Sequence, residues 1–123
     1  MAFVEIDKQD QIMIIKLNRP ERLNALSKVI REGMANAFIE YRDDKNLEVA
    51  ILTGEGRGFC AGEDMKESLE VGSLASAPGK GEEIENPFMN GTLDKPVIGA
   101  INGYAMGGGF MLVEKTDLRV AVK

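Results

Sequence analysis

The sequence contains no histidine. That absence removes the commonest general base, so neither a Ser-His-Asp nor a Cys-His site can be assembled within these 123 residues. A histidine-ligated zinc site is excluded for the same reason, and no metal centre is expected. Cysteine is nearly as scarce: Cys60 stands alone and cannot close an internal disulfide. No apolar run approaches the roughly 20 residues that cross a bilayer. The opening "MAFVEIDKQD" lacks the basic segment and long apolar stretch of a secretory signal. These features predict a cytoplasmic protein without a membrane partner. Positive charge is in the minority, with 15 Lys and Arg against 20 Asp and Glu and a net charge of −5. Phosphate-backbone recognition needs clustered Lys and Arg, so nucleic acid is not expected as a partner. Any acid–base chemistry is left to carboxylates, Lys, Tyr or Cys60.

What the chain does have is an alternation of short apolar runs and one strongly periodic helix. "FVEI" (Phe3 to Ile6) alternates as a half-buried strand does, and "IMIIKL" (Ile12 to Leu17) reads as a second strand after the polar turn "DKQDQ". Ser27 is a good N-cap for a helix running to about Arg42, with Ile30, Met34, Ala37, Phe38 and Tyr41 on its core face. "VAILT" (Val49 to Thr53) predicts a strand buried on both faces. Asp64 and Glu67 have capping-box spacing, which predicts a short helix from Met65. About residues 72–91 the composition turns to Gly, Ser, Ala and Pro with acids, and predicts a mobile loop rather than a domain linker. "PVIGAI" (Pro96 to Ile101), a helix from Gly107 to about Lys115, and "LRVAV" (Leu118 to Val122) complete the order β-β-α-β-α-β-α-β. The fold class is therefore α/β with a largely parallel sheet.

Two glycine-rich segments, "GEGRGFCAGED" and "NGYAMGGGF", follow the two central strands. In such folds ligands lie beyond the carboxyl ends of strands, and both segments fall there. The triplet Gly107–Gly109 is unexpected at a helix start, because Gly is about 1 kcal/mol worse than Ala in a helix. It fits neither the Walker loop, which needs a terminal Lys and hydroxyl, nor the dinucleotide pattern, since Leu112 stands where a third glycine is required. Two readings remain open. The glycines permit a tight turn and close helix–sheet packing. Alternatively, they expose helix-start amides that hold a carbonyl oxygen as it gains negative charge.

"LNRPERLNALS", "ILTGEGRGFCAGEDMKE" and "LDKPVIGAINGYAMGGGF", in this order, resemble the crotonase family, the enoyl-CoA hydratases and isomerases. The resemblance covers the whole chain. It implies a spiral of β-β-α units, with residues 1–123 as the N-terminal part of an acyl-CoA-binding domain. It further implies trimers or dimers of trimers, and an acyl-CoA thioester as substrate, with coenzyme A entering as part of that substrate rather than as a separate cofactor. The implied chemistry stabilises a thioester enolate between two backbone amides, those of Glu63 and Gly108. Arg22, Leu23 and Ala25 would line the coenzyme A site, and Ala61, Asp64, Met65 and Lys66 the pantetheine and thioester.

Two departures qualify the resemblance. The hydratases carry a glutamate two residues after the triplet, where this chain has Met111, and a thioether is neither acid nor base. Family members are also longer, and their other common catalytic carboxylate would lie beyond Lys123. The expected chemistry is thus an isomerase, dehydratase or other single-carboxylate reaction. The alternative is a non-catalytic or truncated crotonase-fold protein that binds acyl-CoA or only oligomerises. Of the remaining groups, Glu114 is expected to be solvated or paired with Lys115 or Arg119. Cys60 is expected to be a small buried apolar residue, Tyr104 to pack, and Asp117 to be structural.

Overall fold

A computed structural model describes residues 3–62 and 84–122. Strand β1 (Val4–Gln9) turns through Asp10 and Gln11 into β2 (Ile12–Leu17), and a 3-10 turn (Pro20–Arg22) leads to helix α1 (Lys28–Asp43). Strands β3 (Val49–Gly54), β4 (Gly58–Cys60), β5 (Val97–Ile101) and β6 (Tyr104–Ala105), helix α2 (Gly108–Lys115) and strand β7 (Leu118–Ala121) follow. The main sheet has the order β1-β2-β3-β5-β7, antiparallel at β1–β2 and parallel at every other pair. Strands β4 and β6 form a separate parallel pair. The expected helix from Met65 lies outside the described residues.

Local chemistry explains the boundaries. Asp10 takes φ 55°, so the hairpin turns in two residues and β1 runs on to Gln9, further than the alternation of Phe3 to Ile6 predicts. Ser27 caps α1 by accepting a hydrogen bond from the Ile30 amide at 3.3 Å. The predicted face of α1 is the buried one: Ile30, Met34, Ala37, Phe38 and Tyr41 join Met13, Ile15, Leu17, Ala50 and Leu52 in one core. Each of the Leu, Ile, Met and Phe side chains contributes about 1.5–3 kcal/mol of burial, which favours this register over a one-residue slip. Strand β3 is not buried on both faces: Ala50, Leu52 and Gly54 are buried, while Val49, Ile51 and Thr53 are half-buried.

The far end of the glycine- and serine-rich segment is anchored. Pro87 and Phe88 are buried, and the Phe88 ring stacks on Phe38 with centroids 4.5 Å apart. At the opposite sheet edge, β7 is exposed along its whole length. No helix among the described residues is long and apolar enough to cross a membrane.

Candidate functional site

Strands β3 and β5 are parallel neighbours, so the segments leaving their carboxyl ends emerge on the same side of the sheet. Each leads into one strand of the small pair, with Gly58 opposite Tyr104 and Cys60 opposite Ala105. The Met106 amide then donates to the Cys60 carbonyl at 3.1 Å. A Cβ built on Gly62 would lie 2.6 Å from the Met106 carbonyl oxygen and 3.1 Å from the Gly108 nitrogen. The two glycine-rich corners therefore meet backbone to backbone, with no space for a side chain on Gly62.

The triplet separates into three roles. Gly107 has φ 52° and ψ −121°, a conformation that L-residues rarely adopt. A Cβ on Gly109 would stand 2.0 Å from the Cys60 carbonyl oxygen, so packing forbids one. Gly108 is under neither constraint. Its Cβ would meet only the Leu26 Cδ1 methyl at 3.0 Å and Gly62 Cα at 3.8 Å. The turn's hydrogen bonds run from Gly109 to Met106 and from Phe110 and Met111 to Gly107. The Gly108 N–H is bonded to no described residue. It sits at the first position of α2, where peptide dipoles add partial positive charge. Such a donor suits an oxygen carrying negative charge.

A third segment closes the corner from below. After the 3-10 turn, Leu23 and Asn24 both take left-handed backbone angles. The Leu23 carbonyl accepts from the Ala61 amide at 3.0 Å, and the Leu26 amide donates to the Gly62 carbonyl at 2.6 Å. Of the expected site residues, Leu23, Ala61 and Gly108 thus come together around Gly62, with Arg22 half-buried and Ala25 buried beside them. Glu63, Asp64, Met65 and Lys66 lie outside the described residues. The sequence reading missed Gly62 and Leu26, whose contacts are long-range backbone contacts.

Among the described residues, Cys60 and Asp117 are poor candidates for proton transfer. Cys60 is fully buried, and burial pushes its thiol up, against a smaller opposing effect of the Gly62 amide and Arg31. It packs as an apolar residue, as expected. Asp117 accepts from the Val97 amide at 2.8 Å and is structural. Arg119 turns to the carbonyls of Val113, Glu114 and Thr116 at the end of α2, rather than to the Glu114 carboxylate. Tyr104 does not pack as expected: on the two-residue strand β6 it is 59% exposed. Met111 is half-exposed on α2. Among the described residues, no group of three or more Cys, Asp or Glu converges as a metal site would.

The family model for enoyl-CoA hydratase/isomerase matches residues 7–123. The chain is 38% identical over 112 residues to a probable peroxisomal enoyl-CoA hydratase 1 of Arabidopsis thaliana, covering 89% of this chain and 40% of the relative. It is 35% identical over 128 residues to the 1,2-epoxyphenylacetyl-CoA isomerase of Escherichia coli K12, covering all of this chain and 48% of that one. Its structure is similar to the crystal structure of an enoyl-CoA hydratase from Mycobacterium tuberculosis H37Rv, with a TM-score of 0.82 and 38% identity over 98% of this chain and 46% of the other. The chain thus spans about half the length of the relatives it matches.

Proposed function

The chain belongs to the enoyl-CoA hydratase/isomerase family, and on that premise we propose that it supplies the thioester-binding corner of an acyl-CoA enzyme. In this reading the carbonyl oxygen of an acyl-CoA thioester is held by the Glu63 and Gly108 amides. The same pair then stabilises the negative charge that gathers on that oxygen when a proton leaves the neighbouring carbon. Arg22, Leu23, Ala25 and Ala61, with Asp64, Met65 and Lys66, would receive the coenzyme A portion. One observation carries the proposal: at the first position of α2 the Gly108 N–H is bonded to no described residue, and it stands beside the Gly62 backbone of the other corner.

Met111 narrows the reaction class. A hydration that needs a carboxylate at this place cannot run on a thioether. The reading therefore favours isomerisation, dehydration or another reaction that moves one proton with one carboxylate. Glu114 is exposed, three residues further along α2, and no contact marks it as the missing acid.

The test is binding and turnover with Gly108→Val. Wild-type chain should bind crotonyl-CoA in a calorimeter, and the branched side chain between the corners should abolish that binding. In the enzyme carrying this sequence the same change should cost at least about 100-fold in turnover, as loss of one such donor does. Unchanged kinetics and affinity in Gly108→Val would reject the role. Failure of both the wild-type chain and the enzyme to bind would favour a family member that keeps the fold without the chemistry.

A further inference from the structure

The turn between β3 and β4 is held by two carboxamides from distant segments. Asn24 is fully buried with a left-handed backbone. Its Oδ1 accepts from the Arg19 amide at 2.7 Å, and its Nδ2 donates to the carbonyls of Glu55 at 3.1 Å and Gly58 at 2.9 Å. Asn102, just past the end of β5, approaches from the other side. Its Oδ1 accepts from the Gly54 amide at 3.1 Å and lies 3.4 Å from the Thr53 hydroxyl. Its Nδ2 donates to the carbonyls of Gly56 at 3.0 Å and Gly58 at 3.3 Å. The Gly58 carbonyl is shared by both side chains.

Gly58 is where the small strand pair begins, and that pair is a weak ruler. It holds two residue pairs, and its register shifts between them. A ladder so short does not fix register by itself. Yet it is the element that leads one corner to Gly62 and the other to Gly108. A carboxamide is suited to pin such a turn, because it presents donor and acceptor together without charge.

We infer that Asn24 and Asn102 are positioning residues which, by gripping the Gly58 carbonyl together, set the separation between Gly62 and the Gly108 amide. This inference rests on the thioester reading above. It differs from a purely structural role in what it predicts: loosening the grip misplaces the donors before it unfolds the chain. A misplacement of about 1 Å in such a site can cost on the order of 100-fold in rate.

The test is the infrared carbonyl band of crotonyl-CoA labelled with carbon-13 at the thioester carbonyl, added to the chain. Bound to wild type, the band is expected at lower frequency than in the free thioester. Asn102→Ala and Asn24→Ala are expected to lose most of that displacement, while affinity for free coenzyme A stays within about threefold of wild type. Should the alanine variants not fold, Asn102→Asp is read the same way, since it keeps the acceptor for Gly54 and deletes the donor to Gly56 and Gly58. Full displacement in the variants overturns the inference and leaves the thioester reading intact. A loss of coenzyme A affinity in step with the loss of displacement also overturns it, because the damage is then general. No displacement in wild type overturns the thioester reading and the inference with it.

Discussion

Alanine substitution along the glycine triplet should separate packing from ligand approach. At Gly109 an added methyl carbon begins 2.0 Å from the Cys60 carbonyl oxygen, which cannot withdraw without breaking the β4–β6 pair. Over-packing of this kind costs about 1–3 kcal/mol. At Gly107 there is open space, but φ 52° and ψ −121° suit only glycine, for about 1–3 kcal/mol of strain. At Gly108 the methyl meets the flexible end of Leu26, whose adjustment costs about 0.5–1 kcal/mol. Alanine's better helix propensity returns up to about 1 kcal/mol, so the net change should be near zero. With about 4 °C of melting temperature per kcal/mol, Gly107→Ala and Gly109→Ala should melt about 4–12 °C lower by circular dichroism, and Gly108→Ala within about 2 °C of wild type. The same Gly108→Ala methyl stands 3.8 Å from Gly62 Cα, between the two corners. Calorimetry should therefore find crotonyl-CoA bound more weakly to it. The reasoning is refuted if Gly108→Ala is as destabilised as Gly109→Ala, or if it changes neither melting nor binding.

Three further outcomes are expected. Tyr41→Phe loses the 2.6 Å hydrogen bond to the Pro96 carbonyl, worth about 1–2 kcal/mol, and should lower the urea midpoint. Burial also pushes the Tyr41 phenol up to about 12. Because the folded value is the raised one, the stability it contributes is full below pH 10 and fades as pH climbs toward about 12. The phenylalanine variant should lack that part of the alkaline decline, and an identical decline would count against the assignment. Ser27→Ala removes the α1 cap and should cost about 1 kcal/mol in chemical denaturation; no measurable change would show the cap to be idle. Leu118, Val120 and Val122 are each more than 60% exposed along one edge, so light scattering should reveal concentration-dependent association that Val120→Lys reduces. A monomer at every concentration would contradict this.

How much could be read from the sequence depended on how local each cause was. The Ser27 cap, the face of α1 and the ends of β2 follow from neighbours within one or two turns, and they appear as expected. Strands β4 and β6 were invisible, because a glycine-rich run of three residues and a pair after "NG" have no periodicity to reveal them. The glycine triplet could be recognised as functional or structural but not divided. Only the approach of Cys60, 49 positions before Gly109, tells the packing glycine from the exposed one. Asn24 and Asn102 escaped notice because all their partners but Arg19 lie 31 to 49 residues away.

The most direct measurement is an experimental structure of the chain with an acyl-CoA thioester bound. The account predicts that the main-chain nitrogens of Glu63 and Gly108 both lie about 3 Å from the thioester oxygen. A complex in which only one of them reaches that oxygen, or in which the oxygen sits elsewhere, would contradict it.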